Sequence, residues 1–538
     1  MTLIYYKARQ FIRIGLSAAV PLVAFAHSEP VIRSTTQLVE VTVVVTGPGG
    51  APVLDLKRKD FALWERGIAR SISAFHQNWT ADDEPTSPPA PTLGRYSNSI
   101  RQEMGGMHSV LLLDALDTPG TDWERAWPDV VRFIGGLGSA DRIAIYSLDP
   151  LNGLEVLQDF DDDPRRLAAK LQKLPHATLA ELLPAAAAFH DRDAPGFATR
   201  DSRIQLPELL SLGRVQGLTN ALNAIANHLA GVPGRKTLIW FASVFPDPFP
   251  TTRLPGSALP PYRSKLLLAV NRLLSNDIGI YPVDARGLMP DHSFDAENRS
   301  LPAAEPVGPG QVNSMQVYDF SGLMELARRS GGKAYFNSNG FAQDLRDAAF
   351  AERSSYTLGF YLQAEPDGKY HPIRLAVDRP QVHLRYRPGY WAFGEAEAAG
   401  EAERQTQLRA AMDSPFMANA IQLQADAQKL SGNPATARTV IYIDPGNLTL
   451  EAGQGAWNAR LEVLIGQKET RGRVFAIPPY SVPLSVPNSL LRSHGWLTTR
   501  ATVALRPATG TIRVVVQDQH SGRIGSLDIP LDPAPGRR

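Results

Sequence analysis

Between residues 110 and 337 the chain alternates short apolar runs with helical patterns, and this alternation restricts the possible folds more than any other feature. The runs are VLLLDAL (110–116), RIAIYSL (142–148), TLIWFAS (237–243), GIYPVDA (279–285) and KAYFN (333–337). Each is short and nearly continuously apolar, which suits a strand buried on both faces. Between and after them lie WERAWPDVVRFIGGL, PRRLAAKLQKL, GLTNALNAIANHLAG, RSKLLLAVNRLLSN and FSGLMELARRSG. In the third of these, Leu218, Leu222, Ile225 and Leu229 recur at helical spacing and form one apolar stripe. Asp161, Asp162 and Asp163 before Pro164 suit the start of the second, where acids meet the positive end of the helix dipole. Strands alternating with helices predict an α/β doubly wound, mostly parallel sheet over residues 107–354.

The flanks change period. Leu38 to Val45 is β-branched, and the stretch from Val53 to Phe75 alternates around Phe61, Leu63, Ile68 and Ile72 with a hairpin near Glu65 to Gly67. From Ser355, YTLGFYL, PIRLAVD and VHLRYRP read as three more strands. Neither group buries enough area to stand alone, so residues 34–79 are expected to pair with 355–392 in one small β-sandwich into which the α/β domain is inserted. Residues 80–106, rich in Pro, Ser and Asp, read as a linker, and 393–412, rich in Ala and Glu, as a helical spacer. Strands at regular intervals over 413–538 predict a C-terminal all-β sandwich.

Lys7, Arg9 and Arg13 precede the apolar run Ile14 to Ala26, and Ala24-Phe25-Ala26 has the form of a signal-peptidase site. Residues 1–26 therefore read as a cleavable signal peptide, and the chain as secreted or periplasmic, with no membrane span after removal. The formal net charge is +1 over 538 residues with no basic block, which gives nucleic acid nothing to bind. Cysteine is absent, so disulfides, thiolate nucleophiles and Cys-held metals are excluded in any compartment.

Taken in order, HSVLLLDALDTP, SADRIAIYSL, GLTNALNAIANHLAGVPGRKTLIWFAS, GIYPVDARGL, LARRSGGKAYFNSNGFAQDLRDA and SSYTLGFYLQAEPDGKYHPIRLAVDR ending in RYRPGYW resemble a von Willebrand factor type A (VWFA) domain, more narrowly the VWFA-related exported proteins of acidobacteria. The resemblance runs from about Val39 to Trp391. It implies a VWA-like, Rossmann-like sheet and a metal-ion-dependent adhesion site holding Mg2+. A hard cation of this kind takes about six oxygens, some from the protein and one from a partner's carboxylate. Laid on this chain, the ligands would be Asp114, Thr118 and Thr219, with Asp117 as outer ligand and contact for the partner. Leu116 stands where the first serine belongs, and no acid follows TLIWFAS until Asp247, so the site is degenerate. Without a metal, Asp114 would cap its turn and Thr219 the start of its helix.

Catalytic motifs are weak. Gly234-Arg235-Lys236-Thr237 imitates the end of a phosphate-binding loop but precedes a strand, so it reads as a basic turn. The eleven histidines make no zinc-hydrolase spacing, and no Gly-x-Ser-x-Gly elbow occurs. Two functions follow. One is an exported, non-catalytic protein that contacts a protein partner, one presenting a carboxylate, through the top face of the α/β domain in binding or adhesion. The other is an exported hydrolase or processing enzyme with acids on the long loops 176–214 and 287–316.

Overall fold

The computed structural model describes residues 37–78, 95–99, 108–160, 206–245, 261–288, 320–392 and 401–531, apart from a few positions within those ranges. The segment 1–26 with Ala26, the helix expected at 164–174, Asp247 and most of the loops 176–214 and 287–316 lie outside the described residues.

The described part begins with β1 (Gln37–Thr46), β2 (Phe61–Glu65), β3 (Ile68–Arg70) and β4 (Ala74–Gln77). Arg66 and Gly67 both take positive φ, 50° and 79°, and join β2 to β3 in the tight turn that matches strand twist. Next comes β5 (Tyr96–Ser97), and then the α/β domain. This domain contains β6 (His108–Asp114), α1 (Gly120–Gly135), β7 (Ile143–Asp149), β8 (Gly153–Gln158), α2 (Leu206–Leu229), β9 (Lys236–Ala242), α3 (Pro261–Ser275), β10 (Ile278–Asp284), α4 (Ser321–Ser330) and α5 (Phe341–Phe350).

Its sheet has the order β10-β9-β6-β7-β8. The first four strands run parallel, and β8 closes one edge antiparallel. All seven residues of β6, β7, β9 and β10 are buried, because each face is covered. On one face Leu218, Leu222, Ile225 and Leu229 of α2 pack with Leu266 and Leu273 of α3. On the other, Trp123, Val130 and Phe133 of α1 pack with Phe341 and Leu345 of α5.

Two expectations for this domain change. KAYFN contributes a single bridge, Tyr335 to Val283, rather than a strand. Gly331 before it and Asn337 at its end both take positive φ, 72° and 54°, which breaks extension on either side. The segment 206–214, expected as loop, is the first part of α2, with Gly213 and Gly217 accommodated inside a 24-residue helix.

After α5 the chain forms β11 (Ser355–Leu362), β12 (Tyr370–Val377), β13 (His383–Tyr386) and β14 (Gly389–Trp391). Strand β1 pairs antiparallel with β11 over eight residues, and β2 pairs with β12. The two four-stranded sheets, β13-β1-β11-β4 and β14-β12-β2-β3, enclose Val41, Val43, Leu63, Tyr356, Leu358 and Phe360.

A buried charge network ties this sandwich to the α/β domain. Arg235 of the supposed basic turn is 2% exposed at its side chain and pairs with Asp277 at 2.9 Å and Glu352 at 3.0 Å. Arg385 of β13 donates to the Tyr281 hydroxyl at 2.6 Å, and Thr42 of β1 donates to Asp277 at 3.2 Å.

Helix α6 (Glu401–Asp413) precedes the C-terminal strands β15 (Leu423–Leu430), β16 (Thr436–Ile443), β17 (Glu451–Ala452), β18 (Ala456–Glu469), β19 (Val474–Ala476), β20 (Tyr480–Pro487), β21 (Leu497–Ala504), β22 (Thr509–Asp518) and β23 (Ile524–Pro530). These form a four-stranded sheet, β21-β16-β15-β5, against a six-stranded one built on β18, β22 and β23. The described part of the stretch expected as a spacer, from Glu401 on, is packed structure, since Leu408, Ala411 and Met412 of α6 are buried with Leu464, Val515 and Ile524.

Part of the expected linker also belongs to this domain. Tyr96–Ser97 is the edge strand of the first sheet, and the Asn98 side chain donates to the carbonyls of Ala418 (2.8 Å) and Ile421 (2.9 Å) and accepts from Leu423 N–H (2.7 Å).

Candidate contact edge of the sheet

Parallel strands end together, so the side chains at their carboxyl ends gather along one edge. Here β6, β9 and β10 deliver Asp114, Ala242 and Asp284 to that edge, and the turns that follow carry Asp117, Thr118, Ser243 and Arg286.

Asp114 is completely buried. Its Oδ1 accepts the Asp117 backbone N–H at 3.0 Å, and its Oδ2 accepts the Trp240 indole N–H at 2.9 Å. Burial, and then the neighbouring Asp117 charge, push its carboxyl well above the usual carboxylate range. Asp117 is 6% exposed, and its Oδ1 accepts two N–H groups from Arg214, with Nε at 3.0 Å. Burial raises its pKa against the opposing pull of that guanidinium.

The hydroxyls are also engaged. Thr118 Oγ1 accepts the Ser243 N–H at 3.2 Å. Thr219 lies well inside α2, where its hydroxyl donates to the Val215 carbonyl one turn back at 2.6 Å, so it does not cap the helix start. Leu116 packs towards Gly217 of α2, where an added Cβ would come within 3.2 Å of its Cδ2.

Two further acids on this edge hold an arginine. Asp122 pairs with Arg125 at 3.0 Å and accepts the Ser243 hydroxyl at 2.8 Å. Asp284 takes Arg286 as a two-pronged partner at 2.9 Å on both prongs, and burial raises its pKa.

This donor set does not fit Mg2+. Asp114 is turned to an indole N–H, Asp117 to a guanidinium, Thr118 to a backbone N–H and Thr219 along its own helix. Leu116 offers carbon where oxygen is required. Among the described residues no group of three or more His, Asp or Glu side chains is placed to hold a metal. The expected ligands Asp114, Asp117 and Thr118 do come together in one turn, where Arg214 supplies the positive charge at Asp117.

Arg214, Trp240, Asp122 and Ser243 escaped the sequence reading. The only available signal was Trp240, a tryptophan in an otherwise hydrocarbon strand whose N–H needs a partner.

No protein-family model matches this chain, and no curated protein sequence matches it. Solved structures give faint likenesses. An aerotolerance-related membrane protein from Bacteroides fragilis NCTC 9343, carrying multiple mutations to serines, aligns at 11% identity and a TM-score of 0.25, over 46% of this chain and 100% of that one. The human COPII-coat protein Sec24c aligns at 9% identity and a TM-score of 0.19, over 60% of this chain and 52% of that one. At these TM-scores neither likeness carries any argument, and the α/β architecture rests on the chain's own strand order.

The edge also exposes carbon. Val244, just past β9, is 48% exposed and Leu288, just past β10, is 60% exposed. Arg125 beside them keeps 49% of its side chain in solvent. Paired acids, a half-exposed arginine and exposed apolar side chains thus lie together along this edge.

Proposed function

We propose that the chain is an exported, non-catalytic, VWA-like protein that binds a protein partner, or mediates adhesion, through the carboxyl edge of its α/β sheet. The degenerate metal site takes part as a pre-formed acid–arginine surface. The observation that carries this reading is the pairing of Asp117 with Arg214 and of Asp284 with Arg286, beside exposed Val244 and Leu288. The paired acids are unsuited to general acid–base work, because a working base must be free to take a proton. Arg125, half exposed beside these pairs, adds positive charge that attracts a partner's carboxylate. Export rests on the N-terminal pattern. Among the described residues no helix is long and apolar enough to cross a membrane.

The test is capture from the source organism's envelope fraction with the wild-type chain and with Val244→Asp/Leu288→Asp. The reading expects a discrete partner that the double variant loses while keeping its folded signature. Equal capture by both proteins would overturn it, as would hydrolase activity that survives purification and is lost on substitution of edge residues.

A further inference from the structure

Helix α2 has two stripes of opposite character. One is the apolar stripe against the sheet. The other carries Gln216, Asn220, Asn223 and Asn227, again at helical spacing, along a side of the helix that faces away from the core. Asparagine is a poor residue inside a helix, costing roughly half a kcal/mol or more against alanine at each position. Helix propensity alone does not account for three of them with a glutamine in one stripe.

That stripe lines a cleft of about 340 Å³ where the α/β domain meets the C-terminal domain. Helix α3 supplies Lys265 and Arg272 to it, and α6 supplies Thr406 and Asp413. Carbon from Leu154, Ala221, Ala224 and Leu268 adds apolar lining. Ligand sites concentrate at domain junctions, in clefts of roughly 300–1,000 Å³ with apolar walls and a few convergent polar groups.

The junction itself is firmly made. Asn419 donates to the carbonyls of Asn227 (3.0 Å, backbone) and His228 (2.7 Å, side chain), and Phe416 enters the α/β core, 4.4 Å from the Tyr146 ring centre. The cleft is therefore held open between fixed walls.

We infer that this cleft binds an extended peptide segment that carries an acidic side chain. Each carboxamide offers a donor and an acceptor, the same pair that one peptide unit presents. With a rise of about 1.5 Å per residue, the four amides stand about 4.5–6 Å apart along some 16 Å of helix. An extended chain presents equivalent main-chain groups every two residues, roughly 6.6 Å apart. The stripe thus follows the main chain of about five residues and tolerates varied side chains, as main-chain recognition does. Two of the amides are already oriented: Gln216 donates to Asn220 at 2.8 Å, and Arg272 donates to Asn223 at 3.0 Å. Charge selects the acid, since Lys265 and Arg272 outnumber Asp413 among the described lining residues. The cleft adjoins the sheet edge, with Gly217 and Thr219 in its lining, but its amides and cations take no part in the Asp117–Arg214 and Asp284–Arg286 pairs, so either site can fail without the other.

The experiment uses the full chain and two pools of fluorescein-labelled hexapeptides. One has Ala, Ser or Gly at five positions and glutamate at the sixth, and the other has glutamine in place of glutamate. Fluorescence anisotropy is expected to show saturable binding of the glutamate pool. The glutamine pool and the Lys265→Ala variant should each bind roughly tenfold more weakly, as for one lost charge-assisted contact. Asn220→Ala/Asn223→Ala should weaken both pools alike, and Val244→Asp/Leu288→Asp should leave binding unchanged. Circular dichroism of each variant checks that the fold is kept. Absence of binding by either pool, equal binding of both pools, or full affinity in the asparagine double variant would overturn the inference. Binding of an oligogalacturonate with displacement of peptide would replace the peptide with a saccharide and overturn it equally.

Discussion

Arg214 Nε lies 3.0 Å from Asp117 Oδ1, so the positive charge on the acidic turn after β6 is supplied by the chain itself. An ion would have to displace a guanidinium and rotate Asp114 away from Trp240. Millimolar Mg2+ is therefore expected to leave the unfolding midpoint of the wild-type chain unchanged in thermal or urea scans. Arg214→Ala leaves Asp117 buried without its partner and should cost about 1–3 kcal/mol, less than for a fully buried pair because Arg214 is about one-third exposed. A clear Mg2+-dependent rise in the wild-type midpoint would count against this account.

Asp114 and Trp240 form a second unit. Asp114→Ala orphans the indole N–H and the Asp117 N–H inside the sheet edge, a loss of roughly 2–4 kcal/mol. Trp240→Phe removes one of those donors, so adding Asp114→Ala to it should cost less than in the wild type. A double-mutant cycle by urea denaturation measures the difference, and strict additivity would mean that the 2.9 Å bond contributes nothing.

Lys236 gives a pH signature. The residue is 4% exposed, its ammonium donates to the Val232 carbonyl at 2.9 Å, and burial pulls its pKa down from 10.5 to about 8 despite the nearby Asp277 and Glu40. Between those two values the folded chain binds fewer protons than the unfolded one, so stability rises as pH climbs from about 8 towards 10. The full gain is on the order of 3 kcal/mol, and Lys236→Met should flatten the rise in denaturation curves taken across that window.

Arg235→Met tests the buried network beneath the sheet. It leaves the Asp277 and Glu352 carboxylates without the guanidinium between them, at an expected cost of about 3–5 kcal/mol in urea denaturation. A loss under about 1 kcal/mol, as for an exposed ion pair, would show that the network is dispensable.

The parts of this fold that the sequence discloses are those written in a local period. VLLLDAL, RIAIYSL, TLIWFAS and GIYPVDA announce buried strands because burial on both faces removes polar residues, and Leu218 to Leu229 announces a helix because one stripe must face the sheet. Partners distant in sequence leave no such trace. Arg214 sat in a stretch taken as loop, although its helix brings it to Asp117, 97 residues earlier. Arg235 looked like surface charge because its acids, Asp277 and Glu352, lie in separate elements. Asp114, Asp117 and Thr118 were found as a group because they are neighbours in one turn. Their chemistry was not, because it depends on Trp240, Ser243 and Arg214.

The Asn98 clamp has a consequence in time. Its hydrogen-bond partner Leu423 is made 325 residues later. At roughly 5–20 residues per second, a ribosome needs about 16 to 65 seconds to close that distance, during which Tyr96 and Asn98 have no sheet to join. Completion of the C-terminal sandwich therefore waits on both ends of the chain, and a fragment starting at residue 413 would be born without its edge strand, however long it was given to fold.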